Sequence, residues 1–211
     1  MVMVKICGIT NLKDARKAYE AGADFIGFNF YPHSPRYVAP RTARRILQRL
    51  PKKPAVVGVF VNEREDKMLA IAREVGLDYL QLHGEESPKD VARLARSLPV
   101  IKAVRVRGSF RTADLARFKR ASAFLLDGFD RRRHGGSGKT FRWNIALRAK
   151  PAGHIFLAGG LTPKNVTEAI RSAKPYAVDV CSGVEAKPGR KDPELVANFM
   201  RAVRTAQRKV R

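Results

Sequence analysis

Apolar residues recur along this chain in short, near-continuous runs. Between them lie longer stretches in which they return every three or four positions. The runs fall at 2–7, 24–30, 55–61, 78–82, 99–105, 122–127, 153–158 and 175–180. Ala55-Val56-Val57-Gly58-Val59-Phe60-Val61 and Ala123-Phe124-Leu125-Leu126 are of this kind. Strands covered on both faces read this way, as in parallel sheets. The intervening stretches carry helix signals. Ser87-Pro88-Lys89-Asp90 supplies an N-cap serine, an N1 proline and an acidic third position. Thr162-Pro163 and Asp192-Pro193 repeat the cap-plus-proline device, and Asn11 with Asp14 opens the first helix. In the last helix Leu195, Val196, Phe199 and Val203 form one stripe, with Arg201, Arg204 and Arg208 off it. The segment near 144–149 predicts only a short helix. Eight such strand–helix units predict an α/β fold, a compact (β/α)8 TIM barrel as one domain over 1–211. An open doubly wound sheet is the alternative, but no strand runs into a Gly-x-Gly-x-x-Gly turn.

In a barrel of this type the chemistry gathers at the C-terminal ends of the strands. Those positions hold the unusual residues. Strand one ends at Cys7, in Val4-Lys5-Ile6-Cys7-Gly8-Ile9-Thr10. Strand two runs into Tyr31-Pro32-His33-Ser34-Pro35-Arg36-Tyr37, and strand four ends at His83. Strand six ends at Asp127, a carboxylate after a fully apolar run. Strand seven ends at Gly159-Gly160, and strand eight carries Asp179 just before Cys181-Ser182-Gly183. A thiol is a candidate acid or base because local fields move its pKa toward neutrality. Lys5 shares strand parity with Cys7 and points inward, with Asp179 as a candidate partner. The two glycine turns suit a phosphate, because glycine lets the backbone approach an anion and a helix N-terminus adds N–H groups. Ordinary turns, and a plain rim histidine at His83, are the simpler alternatives. His33, His134 and His154 read as solvated.

Gly135-Gly136-Ser137-Gly138-Lys139-Thr140 resembles a nucleotide P-loop, but the position five before Gly138 is Arg133 rather than glycine. The loop up to Trp143 reads instead as a glycine-hinged flap over the barrel mouth. Serine-hydrolase and zinc-protease motifs are missing from the sequence. The formal net charge is +23, from 42 basic and 19 acidic residues. That excess attracts anions and raises nucleic-acid binding as a non-enzymatic reading. The positives are spread, however: Arg41, Arg44, Arg45 and Arg49 in one helix, Arg131-Arg132-Arg133 in a loop, and several in the last helix. Spread charge of this kind fits solvated helix faces better than a nucleic-acid patch. Two cysteines, far apart in sequence, give neither a disulfide framework nor metal spacing. Met1 to Lys5 leads directly into the first strand, so a signal peptide is not expected. A reduced, cytoplasmic, soluble protein without membrane contact is expected.

Taken together, these residues resemble phosphoribosylanthranilate isomerase, a family of tryptophan biosynthesis. The likeness covers Lys5-Ile6-Cys7-Gly8-Ile9-Thr10, Ser34-Pro35-Arg36-Tyr37-Val38, Gln81-Leu82-His83-Gly84-Glu85-Glu86-Ser87-Pro88 and Leu125-Leu126-Asp127. It continues through Gly135 to Phe141, Ala158-Gly159-Gly160-Leu161 and Ser182-Gly183-Val184-Glu185. The resemblance implies an Amadori rearrangement of N-(5′-phosphoribosyl)anthranilate to 1-(2-carboxyphenylamino)-1-deoxyribulose 5-phosphate, with no metal and no other cofactor. It implies Cys7 as general base and Asp127 as general acid. Arg36 meets the anthranilate carboxylate, Gly160, Ser182 and Gly183 bind phosphate, and Gly159, His83 and Asp179 complete the substrate site. The partner is a small phosphorylated molecule, and the chain is a monomer or homodimer. Another aminoaldose isomerase, of histidine biosynthesis, is the runner-up on the same barrel. Two positions depart from the family pattern: Arg142 stands where aspartate is frequent, and Cys181 where serine or another small or polar residue is common. Strands one and eight adjoin in a closed barrel, so Cys7 and Cys181 are expected to lie close enough for oxidation to join them.

Overall fold

The computed structural model describes residues 1–52, 54–106, 110–128 and 143–208. Its strands are β1 (Met3–Cys7), β2 (Phe25–Asn29), β3 (Ala55–Phe60), β4 (Tyr79–Leu82), β5 (Val100–Val106), β6 (Ala123–Gly128), β7 (His154–Leu157) and β8 (Ala177–Val180). They pair in chain order, all parallel, and β8 closes on β1 with Met3 opposite Ala177 and Ile6 opposite Val180. The expected runs therefore match the strands to within two residues.

Closure splits the apolar residues into two cores. Inward-facing Phe25, Val57, Ile101, Ala103, Leu125, Phe156 and Ala177 fill the barrel. Phe25 stacks edge-on against Phe156 and Tyr79 at ring distances of 5.3 and 5.8 Å. The outward set, with Ile6, Ile26, Leu80, Leu126 and Leu157, packs under the helices. This lower plug leaves the upper inward positions to polar side chains.

The helices are α1 (Leu12–Ala21), α2 (Pro40–Leu47), α3 (Glu65–Val75), α4 (Pro88–Leu94), α5 (Asn144–Ala149), α6 (Val166–Ala173) and α7 (Pro193–Arg208). Asn11 caps α1 through the Asp14 N–H at 3.0 Å, and Ser87 with Asp90 makes the expected capping box on α4. Asp192 Oδ1 likewise accepts from the N–H groups of Glu194 and Leu195.

Two expectations need correction. The crossover after β5 has a 3₁₀ segment, Thr112–Arg117, in place of an α-helix. Leu115 is its one buried residue, too little apolar surface to dock two or more α-helical turns. The segment after β7 does not begin a helix at Thr162-Pro163. The Asn165 side chain takes the Thr162 N–H at 2.8 Å and donates to the Gly160 carbonyl at 2.9 Å. That pins a turn, and α6 starts only at Val166. One addition was not foreseen: a small antiparallel hairpin, β9 (Glu185–Lys187) with β10 (Arg190–Lys191), folds over the loop after β8. The expected flap, with Gly135 to Phe141, Arg142 and the Arg131-Arg132-Arg133 run, lies outside the described residues.

Candidate active site

Strand parity decides which side chains reach the mouth. Lys5 and Cys7 of β1 both point inward, and so do Gln81, Asp127 and Asp179. Lys5 is fully buried and donates to Asp179 Oδ1, its candidate partner, at 2.8 Å. Glycine makes room for them on the neighbouring strand. Gly27 lies opposite Cys7 in the β1–β2 register, and a Cβ there would sit 2.8 Å from Cys7 Sγ and 3.1 Å from Lys5 Nζ.

The charges of this cluster depend on one another. Burial alone would lower the Lys5 pKa, but the Asp179 and Cys7 charges outweigh it and hold the ammonium above the ordinary lysine value. Burial pushes the Asp179 carboxyl up to about 6, with Lys5 opposing. A hydrogen bond from the Cys181 thiol holds Cys7 well below the ordinary thiol range. Burial works against it, and the Lys5 and Lys191 ammonium charges work with it. Cys181 itself is pushed up, first because it donates to Cys7 and then by burial.

A second buried cluster abuts the first. Arg36 grips Glu185 with two edges of its fork, Nε to Oε1 at 3.0 Å and Nη2 to Oε2 at 2.7 Å. Lys191, from β10, donates to Glu185 Oε1 at 2.9 Å and to the Cys181 carbonyl at 3.1 Å. Burial would raise the Glu185 carboxyl, but the Arg36 and Lys191 bonds keep it below its ordinary value. Arg36 is raised in turn, chiefly by Glu185. The resemblance assigned Arg36 to the anthranilate carboxylate; the fold also gives it an internal one in Glu185. Sequence reasoning missed Glu185 and Lys191 as parts of the site. Glu185 stood within the Ser182-Gly183-Val184-Glu185 stretch, whereas Lys191 lies beyond every strand tip and gave no signal.

Across the mouth, His83 Nε2 lies 3.4 Å from Asp127 Oδ2. The buried Gln81 amide meets His83 Nδ1 at 3.1 Å. With Gln81 donating there, the ring hydrogen sits on Nε2 and faces Asp127. Asp127 is not enclosed by apolar groups: its side chain is 32% exposed, with Arg105 in register beside it. A Cβ on Gly159 would lie 2.7 Å from Asp127 Oδ1 and 2.3 Å from the Gly128 nitrogen. Gly159, at φ 86°, thus serves the approach of β7 to the Asp127 turn. Gly160 also has positive φ, 64°. A Cβ on Gly183 would fall 1.9 Å from the Leu161 carbonyl oxygen, so the loops after β7 and β8 are in direct contact. Among the described residues, the N–H groups of Gly160, Ser182 and Gly183 donate to no backbone carbonyl. A metal-binding group of three or more His, Cys, Asp or Glu does not occur among the described residues.

The mouth thus gathers a thiol, two carboxylates and a histidine from four strand ends, and known proteins share this fold and much of the sequence. Residues 4–202 match the family model for N-(5′-phosphoribosyl)anthranilate isomerase. The N-(5′-phosphoribosyl)anthranilate isomerase of Citrifermentans bemidjiense is 53% identical over 200 residues, covering 95% of this chain and 96% of its own. The crystal structure of phosphoribosyl anthranilate isomerase from Thermotoga maritima superposes with a TM-score of 0.91 at 45% identity, over 97% of this chain and all of that one. A structure of the isomerase in complex with reduced 1-(o-carboxyphenylamino)-1-deoxyribulose 5-phosphate superposes with a TM-score of 0.86 at 43% identity, over 97% and 100% of the two chains. A closed eight-stranded barrel and near full-length likeness lead to one conclusion: this chain belongs to the N-(5′-phosphoribosyl)anthranilate isomerase family.

Proposed function

We propose that Cys7 and Asp127 are the base and acid of this chain's isomerase reaction. That reaction is the Amadori rearrangement of N-(5′-phosphoribosyl)anthranilate. The observation that carries the reading is the inward Cys7 thiol, held toward thiolate above the buried Lys5, with Asp127 three strands away around the barrel. In this reading Asp127 gives its proton to the ribose ring oxygen, and the C–O bond opens to a protonated Schiff base. Cys7 then takes the proton from C2′. The electrons of that C–H bond move toward the cationic nitrogen, and the enolamine tautomerises to the aminoketose. Lys5 beneath the thiolate favours its charged form before the substrate arrives, and the Schiff-base cation favours it afterwards.

Binding roles follow the polar groups. Gly160, Ser182 and Gly183 N–H groups take the phosphate. The Nη1 edge of Arg36, turned from Glu185, takes the anthranilate carboxylate, with Glu185 fixing the plane of the fork. Asp179 and His83 flank the sugar hydroxyls. All of these groups come from one chain, so one barrel domain completes one site, as a monomer or within a homodimer. A free thiol base suits a reducing cytoplasm.

The test is direct. Cys7→Ala and Asp127→Asn should each lower kcat by roughly a hundredfold to ten-thousandfold or more, the range of a general acid or base. The circular dichroism spectrum should be unchanged, and neither variant should rescue a tryptophan auxotroph that the parent chain rescues. Near-normal turnover by either variant removes that residue from its role.

A further inference from the structure

The β1–β8 register ends with Ile6 opposite Val180, and its next step sets Cys7 beside Cys181. Both face the barrel interior. Adjacent strands lie about 4.8 Å apart, inside the ~4.4–6.8 Å Cα separation a disulfide tolerates. The sulfur atoms converge on the same few residues. Cys181 Sγ leans over Gly8, the residue after Cys7, where a Cβ would lie 2.9 Å from it. Both glycines that flank the pair, Gly8 and Gly27, are places where a side chain would strike a sulfur.

The surroundings favour an ionised sulfur. Lys5 lies beneath Cys7, and Lys191 Nζ is 3.8 Å from Cys181 Sγ. The Cys181 thiol has a second acceptor in Glu185 Oε1 at 3.8 Å. A thiolate at a substrate-accessible mouth, with a second thiol alongside, is the arrangement in which oxidation ends in a disulfide rather than running on to sulfinic acid.

We infer that Cys7 and Cys181 form a hydroperoxide-responsive dithiol that switches the isomerase off reversibly. In the first step the Cys7 thiolate attacks one peroxide oxygen, the O–O bond breaks, and Cys7 becomes a sulfenic acid while the other oxygen leaves as alkoxide or hydroxide and takes a proton from solvent to become alcohol or water. In the second, the Cys181 sulfur attacks the Cys7 sulfur. The S–S bond forms, and the sulfenic hydroxyl departs with the Cys181 hydrogen as water. A dithiol reductant returns both thiols. The loss of activity rests on the reading of Cys7 as the base; the disulfide does not.

The experiment treats the full chain with hydrogen peroxide and follows activity, free thiols and intact mass together. Expected are a loss of kcat of roughly a hundredfold or more, disappearance of both thiols, and a mass lower by two hydrogens. Dithiothreitol should restore all three. A mapped Cys7–Cys181 peptide within one chain should account for the change. Cys181→Ser keeps a hydrogen-bond donor for Cys7 and Cys181→Ala removes it, so the activity of each variant is read against its own untreated value. Under peroxide both should gain oxygen at Cys7 and lose activity that dithiothreitol no longer restores in full. Reduced 1-(o-carboxyphenylamino)-1-deoxyribulose 5-phosphate should protect both thiols. If the inactivated parent chain keeps both thiols, gains oxygen instead of losing hydrogen, or cross-links between chains, the inference fails. If the disulfide forms and activity persists, the modification site stands, but the switch and the reading of Cys7 as base both fall.

Discussion

Lys5 is a fully buried lysine whose ammonium is held in charge by Asp179 and by the sulfur above it. A buried charge of this kind is costly unless paired. Here its field falls on Cys7, which it draws toward the thiolate. The direction of the pH effect follows. A thiolate base works above its own pKa, so anything that lowers that pKa extends activity toward acid. Lys5→Met removes the positive charge and leaves Asp179 without its partner. The first change raises the Cys7 pKa, and so does any negative charge left on Asp179. The acid limb of kcat/KM should therefore move to higher pH by about one to two units, the size expected from one close opposite charge. Turnover should recover as pH rises, KM should change little, and the ultraviolet absorbance of the thiolate should shift with the same midpoint. A loss that is equal at every pH would assign Lys5 to packing alone.

Among the elements, the loop after β4 has its own buried ion pair. Lys102, on β5, donates to Glu86 Oε2 at 2.7 Å and to the Gly84 carbonyl at 2.8 Å, while Glu86 accepts from the N–H groups of Asn62 and Gly84. This knot ties the loops after β3 and β4 together beside His83. Lys102→Met strands a buried carboxylate and should destabilise the fold by about 3–5 kcal/mol, read as a lower urea midpoint. Adding Glu86→Gln should recover part of the loss. Neither Lys102 nor Glu86 drew notice in the sequence, because a lysine inside an apolar strand and a glutamate in an acidic loop are unremarkable until the register places them together. The same limit applies elsewhere. The strands were legible because each is an apolar run, and α1, α4 and α7 because their caps are local. Parity turned Lys5 inward and made Asp179 only a candidate partner; the β1–β8 register settles the pair. Lys191 was not legible: its N–H bonds Asp14 and its ammonium bonds Glu185, through a hairpin that periodicity does not announce. Thr162-Pro163 carried a good start signal, but the Asn165 side chain closes a turn there between the Thr162 N–H and the Gly160 carbonyl, and the helix begins at Val166. Arg36 was assigned to a carboxylate only through the family resemblance, which gave no hint of the bond to Glu185.

At the scale of the whole molecule the charge of +23 remains to be placed. Much of it lies on solvated helix faces, as its spread through the sequence implied. Arg41, Arg44 and Arg45 on α2 are exposed, as are Arg201, Arg204 and Arg208 on α7. Arg44 and Arg73 also border a groove of about 370 Å³ between α2 and α3. None of these groups lines the mouth, so their effect on the substrate acts at a distance. The substrate carries a phosphate and a carboxylate, and a positive field speeds the encounter of such an anion with the protein. Salt shortens the reach of that field, from about 30 Å at 0.01 M to about 3 Å at 1 M. Buried pairs such as Lys5–Asp179 are screened much less, so the chemical step should not feel the same salt. Raising sodium chloride across that range should therefore lower kcat/KM progressively while kcat at saturating substrate holds. The rate at which a neutral thiol reagent labels Cys7 should also hold, because it reports the site without the long-range attraction. Reversing several exposed arginines of α2 and α7 to glutamate should flatten the salt dependence without changing kcat. A kcat/KM that ignores salt would mean that the excess charge has no part in substrate capture.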